Sequence, residues 1–388
     1  MGLYTRNAKS SLIVSLKNFP VTAVIGPRQC GKSTLVKQIL EEKPAKEKKE
    51  TVYLDLERPS DLAKLENAEW FLSMNKGKLI CIDEIQRMPE LFPLIRSLAD
   101  DWNRNGCFLI LGSASRDLLK QSSETLAGRI SYKRLTPFLW NEVEKKHSIE
   151  QYFFCGGFPR SILADNKTSY QWRQDFISTF LERDMLQWKD VTPVTMGRLW
   201  RMLAHINGQT INYSTLSNSL GISSVTVKSY IDLLASTYMV ELIQPWISNL
   251  GKRLVKAPKI YIADSGITCA LLNLRSFEEL SGHPAFGSIW EQIVIANLRG
   301  WFPNAEICYY RTTNGSESDL VINIDGNIYA IECKASYNPV LSKGNYFAFE
   351  DIAPKHTFVV IPSKKGFPFK EGIDAVSLGE LHKRLSNK

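Results

Sequence analysis

Short apolar runs alternate with helical stretches along the N-terminal third of the chain. The apolar runs, each of strand length, are Val21–Ile25, Val52–Leu56, Lys78–Asp83 and Phe108–Gly112, with Tyr132–Leu135 as a candidate fifth strand. Helical stretches at Ser33–Leu40 and Leu91–Trp102 follow the first and the third of these runs. Because strands that alternate with helices pair in parallel and are covered on both faces, the pattern predicts an α/β fold with a parallel sheet.

The pattern changes twice further along the chain. Residues 148–190 are mostly helical, residues 195–264 give helix, helix, tight turn, helix and a β-hairpin, and an α+β pattern begins near residue 281. We therefore expect four parts: an α/β core over residues 1–147, a helical lid or connector over 148–194, a helix-turn-helix module over 195–274 and an α+β domain over 281–388.

Composition narrows the class of protein. The 388 residues are 44% hydrophobic and 23% charged, which is the mix of a globular protein with two or three cores. No apolar run approaches the roughly 18 residues of a membrane span, and MGLYTRNAKS lacks the apolar region of a secretory signal. The seven cysteines are scattered without a CxxC pair, so neither a zinc site nor a disulfide framework is expected. These features predict a cytoplasmic protein without a membrane partner, and the net charge of +8 is compatible with nucleic acid.

A glycine-rich loop follows the first strand. The sequence GPRQCGKS, directly after Val21–Ile25 and directly before a helix, is a phosphate-binding motif in the context that it requires. Gly26 and Gly31 permit backbone angles that aim successive N–H groups inward, and the positive end of the following helix attracts phosphate. Lys32 is expected to reach the β- and γ-phosphates, and the Ser33 hydroxyl is expected to bind Mg²⁺.

Two carboxylates end the third strand, since the apolar run Leu79–Ile82 is followed directly by Asp83 and Glu84. Ligands of open α/β sheets bind at the carboxyl ends of the strands, so Asp83 is expected beside the phosphates, where it holds Mg²⁺ directly or through water. Glu84 is then placed to orient or deprotonate an attacking water, which predicts hydrolysis and not binding alone.

Two further residues have alternative interpretations. Ser113 follows the fourth apolar run and is either a sensor of the γ-phosphate or the cap of a following helix. Arg129 follows Gly128 and either stabilises charge in the transition state, in its own chain or from a neighbouring one, or forms a surface ion pair.

Several motifs together resemble the AAA-type ATP-binding proteins of bacteria and archaea, a family that carries a C-terminal domain of unknown function. The motifs are GPRQCGKST, LDLERP, LICIDEIQ, LGSASRDLL, LAGR, LTPFLWNE and CGGFP. The family is similar to AAA+ and STAND-type ATPases, so the resemblance implies a P-loop NTPase fold. It also implies Mg²⁺ at Ser33 and Asp83 and a catalytic role for Glu84, and it supports a role for Arg129. The residues implied to bind ATP or ADP are Gly26, Pro27, Arg28, Gln29, Cys30, Gly31, Lys32, Ser33 and Thr34.

The middle of the chain has the pattern of a winged helix-turn-helix. Tyr213–Leu220 and Ser224–Ser236 flank a short turn, and Val240–Gln244 and Lys259–Ala263 are expected to form a wing hairpin. If the module binds DNA, cations near the wing contact phosphates and polar side chains of the second helix enter the groove. These residues are Lys252, Arg253, Lys256 and Lys259 for the phosphates and Ser224, Thr226 and Lys228 for the groove. The alternative is a packing or oligomerisation module.

A second group of charged residues lies in the C-terminal α+β segment. Asp319–Ile324 and Asn327–Ala335 are predicted strands around Asp325-Gly326, a strong signal for a two-residue hairpin. That loop length sets Asp319 opposite Glu332, with Lys334 on the same face as Glu332. Opposed side chains have Cβ atoms roughly 4.5–5.5 Å apart, which is close enough for two carboxylates to share one divalent ion.

Glu291 is a fourth member of this group, because it lies on the apolar stripe of the predicted helix Ser288–Trp301. A carboxylate there is costly unless it is paired or bound to a metal. The set Glu291, Asp319, Glu332 and Lys334 resembles the core of the PD-(D/E)xK nucleases, which implies phosphodiester hydrolysis with Mg²⁺ or Mn²⁺. The alternative is a ladder of surface charges.

The sequence therefore predicts a P-loop ATPase of the AAA type, with a helical lid, a winged helix-turn-helix and a restriction-endonuclease-like α+β domain. Its predicted ligands are ATP or ADP, Mg²⁺, a second divalent ion and a nucleic acid, with DNA favoured over RNA, and a homo-oligomer is compatible with the sequence. One alternative is a STAND-like regulatory switch that uses its C-terminal half for protein contacts. A second alternative is a DNA-binding regulator with an inert nuclease fold.

Overall fold

The computed structural model describes residues 4–42, 50–113, 125–184, 192–247 and 255–386. Backbone contacts divide the chain into two compact units. The first consists of residues 1–138 with residues 236–238, and the second consists of residues 139–235 with residues 239–388. The four-part division expected from the sequence stays a prediction.

The first unit is built on a five-stranded sheet in which every described pairing is parallel. Its strands are β1 (Val21–Gly26), β2 (Thr51–Asp55), β3 (Leu79–Asp83), β4 (Phe108–Ser113) and β5 (Ile130–Arg134). They lie in the order β2-β3-β4-β1-β5. All residues of β1 and β3 are buried, as near-continuous apolar strands of a covered parallel sheet should be. The parallel α/β sheet predicted from the hydrophobic pattern is confirmed.

Helices precede and connect the strands of this sheet. They are α1 (Ala8–Asn18), α2 (Lys32–Glu41), α3 (Pro59–Lys64), α4 (Ala68–Met74) and α5 (Leu91–Trp102), with a 3₁₀ turn at Ile85–Arg87. The predicted helices correspond to α2 and α5. The last residue of α5, Trp102, stacks on Phe108 at a ring distance of 5.2 Å, which anchors the helix to the start of β4.

The chain after residue 138 begins with helices and ends in a mixed sheet flanked by helices. The helices are α6 (Trp140–Val143), α7 (Ile149–Cys155), α8 (Pro159–Ile162), α9 (Asn166–Thr179), α10 (Pro193–His205), α11 (Tyr213–Leu220), α12 (Ser224–Ser236), α13 (Ser265–Leu271), α14 (Phe277–Ser281), α15 (Phe286–Trp301), α16 (Lys343–Ile352) and α17 (Leu378–Ser386), with a π turn at Phe180–Asp184. Among the helices that the structure describes, none has the length and apolarity that a bilayer crossing requires.

Eight strands form the mixed sheet of the second unit. They are β6 (Val240–Pro245), β7 (Lys259–Ile262), β8 (Glu306–Arg311), β9 (Glu317–Ile324), β10 (Asn327–Cys333), β11 (His356–Ile361), β12 (Phe367–Lys370) and β13 (Ile373–Ser377). They lie in the order β12-β13-β11-β10-β9-β8-β6-β7. Strands β9 and β10 pair antiparallel around Asp325 and Gly326, which both have positive φ, and Ile324 lies opposite Asn327. The hairpin register expected from the sequence is therefore present.

The middle of the chain follows the predicted element order, but its hairpin belongs to a larger sheet. Helices α11 and α12 are separated by a turn that begins at Gly221, whose φ is 67°. Strands β6 and β7 pair antiparallel, and β6 also pairs in parallel with β8 at Gln244 and Cys308. The hairpin is thus the edge of the C-terminal sheet. Lys252 and Arg253, expected near the wing tip, lie outside the described residues.

The CGGFP motif packs closely against the start of α13. Gly156 ends α7 with φ 72° and ψ −169°, and a Cβ atom at this position would lie 2.1 Å from Oδ1 of Asp264. The Gly157 amide donates to the Asp264 carboxylate at 2.7 Å. Arg173 is fully buried and donates to the carbonyl oxygens of Phe154 and Gly266 at 2.7 and 3.0 Å. The motif therefore has a packing role in this unit.

Gly156→Ala should destabilise the protein more than Gly372→Ala. Both glycines have φ 72°, but the space around Gly372 is open to 4 Å. The backbone strain of an alanine should cost about 1–2 kcal/mol at Gly372, and the clash with Asp264 should add about 1–3 kcal/mol at Gly156. Unfolding in denaturant, followed by circular dichroism, measures both. Equal losses for the two variants would show that the contact with Asp264 contributes nothing.

Candidate functional site

The glycine-rich loop leaves β1 at a point where the backbone has no room for a side chain. A Cβ atom on Gly26 would lie 2.1 Å from the carbonyl oxygen of Leu135. Gly31, with φ 100°, caps α2, which begins at Lys32. This conformation turns the loop sharply into the helix, so that amides of the loop and of the first helical turn are available to phosphate oxygens.

The Lys32 side chain is folded back onto its own loop. It is 6% exposed, and its Nζ donates to the carbonyl oxygens of Gly26 and Pro27 at 3.1 and 2.9 Å. A bound triphosphate would offer this ammonium charged acceptors in place of two neutral carbonyl groups, and charge-assisted hydrogen bonds are the stronger kind. The Lys32 ammonium therefore lies on the loop itself, where it could contact a bound phosphate.

Arg6, which the sequence motifs do not mark, fixes the loop from outside. The guanidinium donates to the carbonyl oxygen of Cys30 at 3.0 Å and to those of Thr136 and Pro137 at 2.5 and 3.3 Å. It also lies over the ring of Phe138 at 4.6 Å. Arg6 thus ties the glycine-rich loop to the segment after β5. No local pattern could have identified this residue, because all these partners are distant in sequence.

Asp83 and Glu84 lie at the same edge of the sheet as the loop. Strands β1, β4 and β3 run in parallel, so their carboxyl ends share one edge. Asp83 is 4% exposed, and its Oδ1 accepts from the Glu84 amide at 3.0 Å. Glu84 has φ 58°, a conformation that few residues other than glycine adopt. Burial raises the pKa of the Glu84 carboxyl, although Lys32 and Arg28 act against it.

Tyr53, on β2, connects the two residues expected to hold Mg²⁺. Its hydroxyl donates to Oδ2 of Asp83 at 2.5 Å and is hydrogen-bonded to Ser33. Burial and the Asp83 carboxylate raise the pKa of Tyr53, so it is a stable donor. The oxygen groups of Ser33 and Asp83 are therefore within reach of each other, and such a set fits Mg²⁺. Tyr53 was not expected from the sequence, and the parallel register places it opposite Cys81, two residues before Asp83.

The structure places Ser113 and Arg129, the two residues with alternative predicted roles, at opposite edges of the sheet. The backbone of Ser113 pairs with Gly26, so the residue ends β4 beside the loop, but its side chain lies outside the described part of the chain. Arg129 precedes β5 at the opposite edge of the sheet, where its carbonyl oxygen accepts from Val21, and its side chain pairs with Asp100 at 2.5 Å. Arg129 thus forms the surface ion pair that was one of its two interpretations, and a role in the transition state stays a prediction.

The charged residues predicted in the C-terminal segment come together in the structure. Asp319 and Glu332 lie on β9 and β10, and each accepts a backbone hydrogen bond from the other strand. The Asp319 amide donates to Glu332 at 3.3 Å, and the Cys333 amide donates to Asp319 at 2.9 Å. Lys334 donates to Glu332 at 2.8 Å. Glu291 is 8% exposed on α15 and faces the same cluster. The alternative of an exposed charge ladder is wrong, because the carboxylates are largely buried.

Lys259 also belongs to this cluster, contrary to the expectation from the sequence. It was expected beside a DNA-binding wing, but it is 3% exposed at the start of β7. Its Nζ lies 2.9 Å from Glu317, 3.4 Å from Glu291 and 4.0 Å from Asp319. The sequence predicted that Lys259 begins a strand, but it gave no sign that the side chain is buried against carboxylates. We refer to Lys259, Glu291, Glu317, Asp319, Glu332 and Lys334 as the acidic cluster.

The acidic cluster contains more negative than positive groups. Burial and the charge of Asp319 raise the pKa values of Glu291 and Glu332 to about 8 each. Burial alone would lower the pKa of Lys259, but the neighbouring carboxylates outweigh it and raise this pKa. Among the described residues, no group of three or more His, Cys, Asp and Glu side chains is arranged to hold a metal ion. The second divalent site stays a prediction.

Three consecutive stretches of the chain match models of known protein families. Residues 18–144 match an AAA domain, and residues 146–278 and 286–381 match two different domains of unknown function. The AAA match and the parallel sheet with its glycine-rich loop define the class of the protein as a P-loop ATPase.

Two curated proteins are similar to almost the whole chain. They are uncharacterized proteins of Mycobacterium tuberculosis and Mycobacterium bovis, each 35% identical over 383 residues, which are 98% of this chain and 85% of the relative. The chain therefore belongs to the family of these mycobacterial proteins.

Solved structures with lower similarity include a Walker-type ATPase of Pyrococcus abyssi. It is 16% identical, with a TM-score of 0.48, and the match covers 70% of this chain and 96% of that one. Another is a signal transduction ATPase with numerous domains and a tetratricopeptide repeat sensor from Pyrococcus horikoshii. It is 13% identical, with a TM-score of 0.30, and the match covers 78% of this chain and 48% of that one.

Tyr53→Phe should weaken binding of the divalent ion without weakening binding of the nucleotide alone. Groups that hydrogen-bond to metal ligands contribute about 10–100-fold to metal affinity, so Mn²⁺ should bind the ADP complex about tenfold more weakly. Electron paramagnetic resonance measures bound Mn²⁺, and titration of ADP in EDTA measures the nucleotide alone. Tyr337→Phe, at a side chain that is 61% exposed, is the matched control. Equal Mn²⁺ affinity in Tyr53→Phe and wild type would contradict the assignment.

Proposed function

We propose that the protein binds ATP with Mg²⁺ and hydrolyses it to ADP and phosphate. The observation that carries the proposal is the common edge of the sheet, where the glycine-rich loop, Asp83 and Glu84 lie together. The AAA match over residues 18–144 supports it independently. The proposed ligands of the nucleotide are the residues from Gly26 to Thr34, all on the loop and the first turn of α2.

Each residue of this edge has a distinct proposed role. The loop amides bind the phosphates, and Lys32 leaves its carbonyl partners to contact the β- and γ-phosphates. Ser33 and Asp83 hold Mg²⁺, which neutralises phosphate charge when bound. Glu84, whose pKa is raised by burial, accepts the proton of the water that attacks the γ-phosphorus. Ser113 is a proposed sensor of the γ-phosphate on the strand next to β1.

Lys32→Ala and Glu84→Gln should affect different steps. Lys32→Ala should weaken ATP binding at least tenfold, because it removes the cation of the loop. Glu84→Gln should keep ATP affinity but lower the rate of phosphate release about 10²–10⁴-fold, which is typical for loss of a general base. Calorimetry and a steady-state phosphate assay separate the two effects, with the exposed Lys17→Ala as control. Hydrolysis at the wild-type rate in Glu84→Gln would rule out its proposed role.

A second proposal concerns the C-terminal unit, which we infer to have a nuclease-like fold that acts on DNA with Mg²⁺ or Mn²⁺. It is supported by the arrangement of Asp319, Glu332 and Lys334 on neighbouring strands beside Glu291. The winged-helix interpretation of α10–α12 and the hairpin is supported by element order and by the exposure of Ser224, Lys228 and Lys256. The proposed activity of the whole chain is ATP hydrolysis coupled to nucleic acid.

Incubation of plasmid, duplex and branched DNA with each divalent ion tests this second proposal. Wild type should cut at least one substrate, Asp319→Ala should abolish cutting, and Glu371→Ala, which changes an exposed carboxylate, should have no effect. A salt-dependent mobility shift without cleavage would favour a DNA-binding regulator with an inert nuclease fold. Absence of any DNA affinity would favour a STAND-like switch with protein partners.

A further inference from the structure

Strand β7 brings two side chains to the buried carboxylate of Glu291. Lys259 and Tyr261 are two residues apart on one strand, so they share a face of the sheet. Both contact Oε1 of Glu291, Lys259 at 3.4 Å and Tyr261 through its hydroxyl. Gly208, with φ 82°, lies so close that a Cβ atom there would be 3.5 Å from the second oxygen of Glu291. The carboxylate of Glu291 is thus enclosed by the hairpin side of the sheet.

The Lys259 ammonium lies within 4.0 Å of three carboxylates of the acidic cluster. Its side chain is 4% exposed, and oxygens of Glu317, Glu291 and Asp319 lie 2.9, 3.4 and 4.0 Å away. The ring of Tyr309 lies 5.3 Å from the same ammonium. A divalent ion needs oxygen ligands at about 2.0–2.6 Å. An ion bound to both Glu291 and Asp319 would therefore overlap the ammonium or be repelled by it at short range.

We propose that Lys259 is a built-in counter-ion that competes with divalent cations for the acidic cluster. The inference deepens the proposed C-terminal site and rests on it for the identity of the cluster. Because β7 pairs with β6 at the edge of the sheet, the fold fixes the backbone position from which Lys259 reaches the carboxylates. Lys259 therefore offsets part of the negative charge on the Glu291 side of the cluster, and a divalent ion gains access by displacing its ammonium.

Removal of this ammonium should make the cluster a tighter metal site. In nucleotide-free protein, Lys259→Met should bind Mn²⁺ at least tenfold more tightly than wild type, as measured by calorimetry. The variant should melt at a lower temperature than wild type in EDTA and recover with Mn²⁺, because an ion that binds the folded state stabilises it. Every protein in this comparison, including the one that is wild type at residue 259, also carries Asp83→Ala. The nucleotide site then does not contribute to Mn²⁺ binding.

Three controls define the effect. Lys259→Arg keeps the charge and should show no gain in Mn²⁺ affinity, and the exposed Lys256→Met should behave as wild type. Adding Glu291→Gln to Lys259→Met should abolish the gain. If Lys259→Met folds only when Mn²⁺ is present, this supports the proposal, whereas failure to fold with and without Mn²⁺ overturns it.

Mn²⁺ affinity equal to or weaker than that of wild type in a folded Lys259→Met protein would also overturn the proposal. Equal affinity would show that Lys259 does not compete with the ion, and weaker affinity would show that it supports binding of the ion. These measurements use no DNA, so failure of the nuclease proposal is recognised separately, by the absence of cleavage in wild type.

Discussion

Negative charge removed from water has to be matched by nearby cations or N–H and O–H donors, and this constraint organises both parts of the protein. In the first unit, buried Asp83 accepts from Tyr53 and from the Glu84 amide. In the second unit, Glu291 accepts from Lys259 and Tyr261. At the proposed nucleotide site the negative charge would come from the ligand, and the loop amides and Lys32 are the groups proposed to match it. Sites of this kind are therefore found by asking what neutralises each buried carboxylate.

Features that depend on local pattern were predictable from the sequence. Apolar runs of strand length indicated the parallel sheet, and GPRQCGKS before a helix located the loop. The Asp325-Gly326 turn fixed the register of β9 and β10, because a two-residue loop leaves one pairing that keeps alternate residues on a single face. The proximity of Asp319 and Glu332 is a direct consequence of that register.

Features that depend on contacts between distant segments were not predictable in this way. Arg6 contacts residues 24 and 130 positions away, and Tyr53 reaches Asp83 across 30 positions. Lys259 reaches Glu291 across 32 positions, and its charge alone suggested a solvent-exposed place. A buried lysine is explained by its partners, and those partners are brought together by the sheet order. Strands β8 and β11–β13 were not predicted individually either, because the sequence indicated only that this segment is α+β.

The shared sheet of the second unit also changes how the middle segment is understood. Its hairpin pairs with β8 and supplies Lys259 to the acidic cluster, so α10, α11 and the C-terminal strands are parts of one unit. The match to the mycobacterial relatives extends along both units.

The central claim is that the edge formed by β1, β3 and β4 binds a nucleoside triphosphate together with Mg²⁺. Calorimetric titration of folded wild-type protein with ATP, with and without Mg²⁺, tests it most directly. We expect one binding site per chain and tighter binding when Mg²⁺ is present. Absence of any heat of binding in well-folded protein under both conditions would contradict the claim.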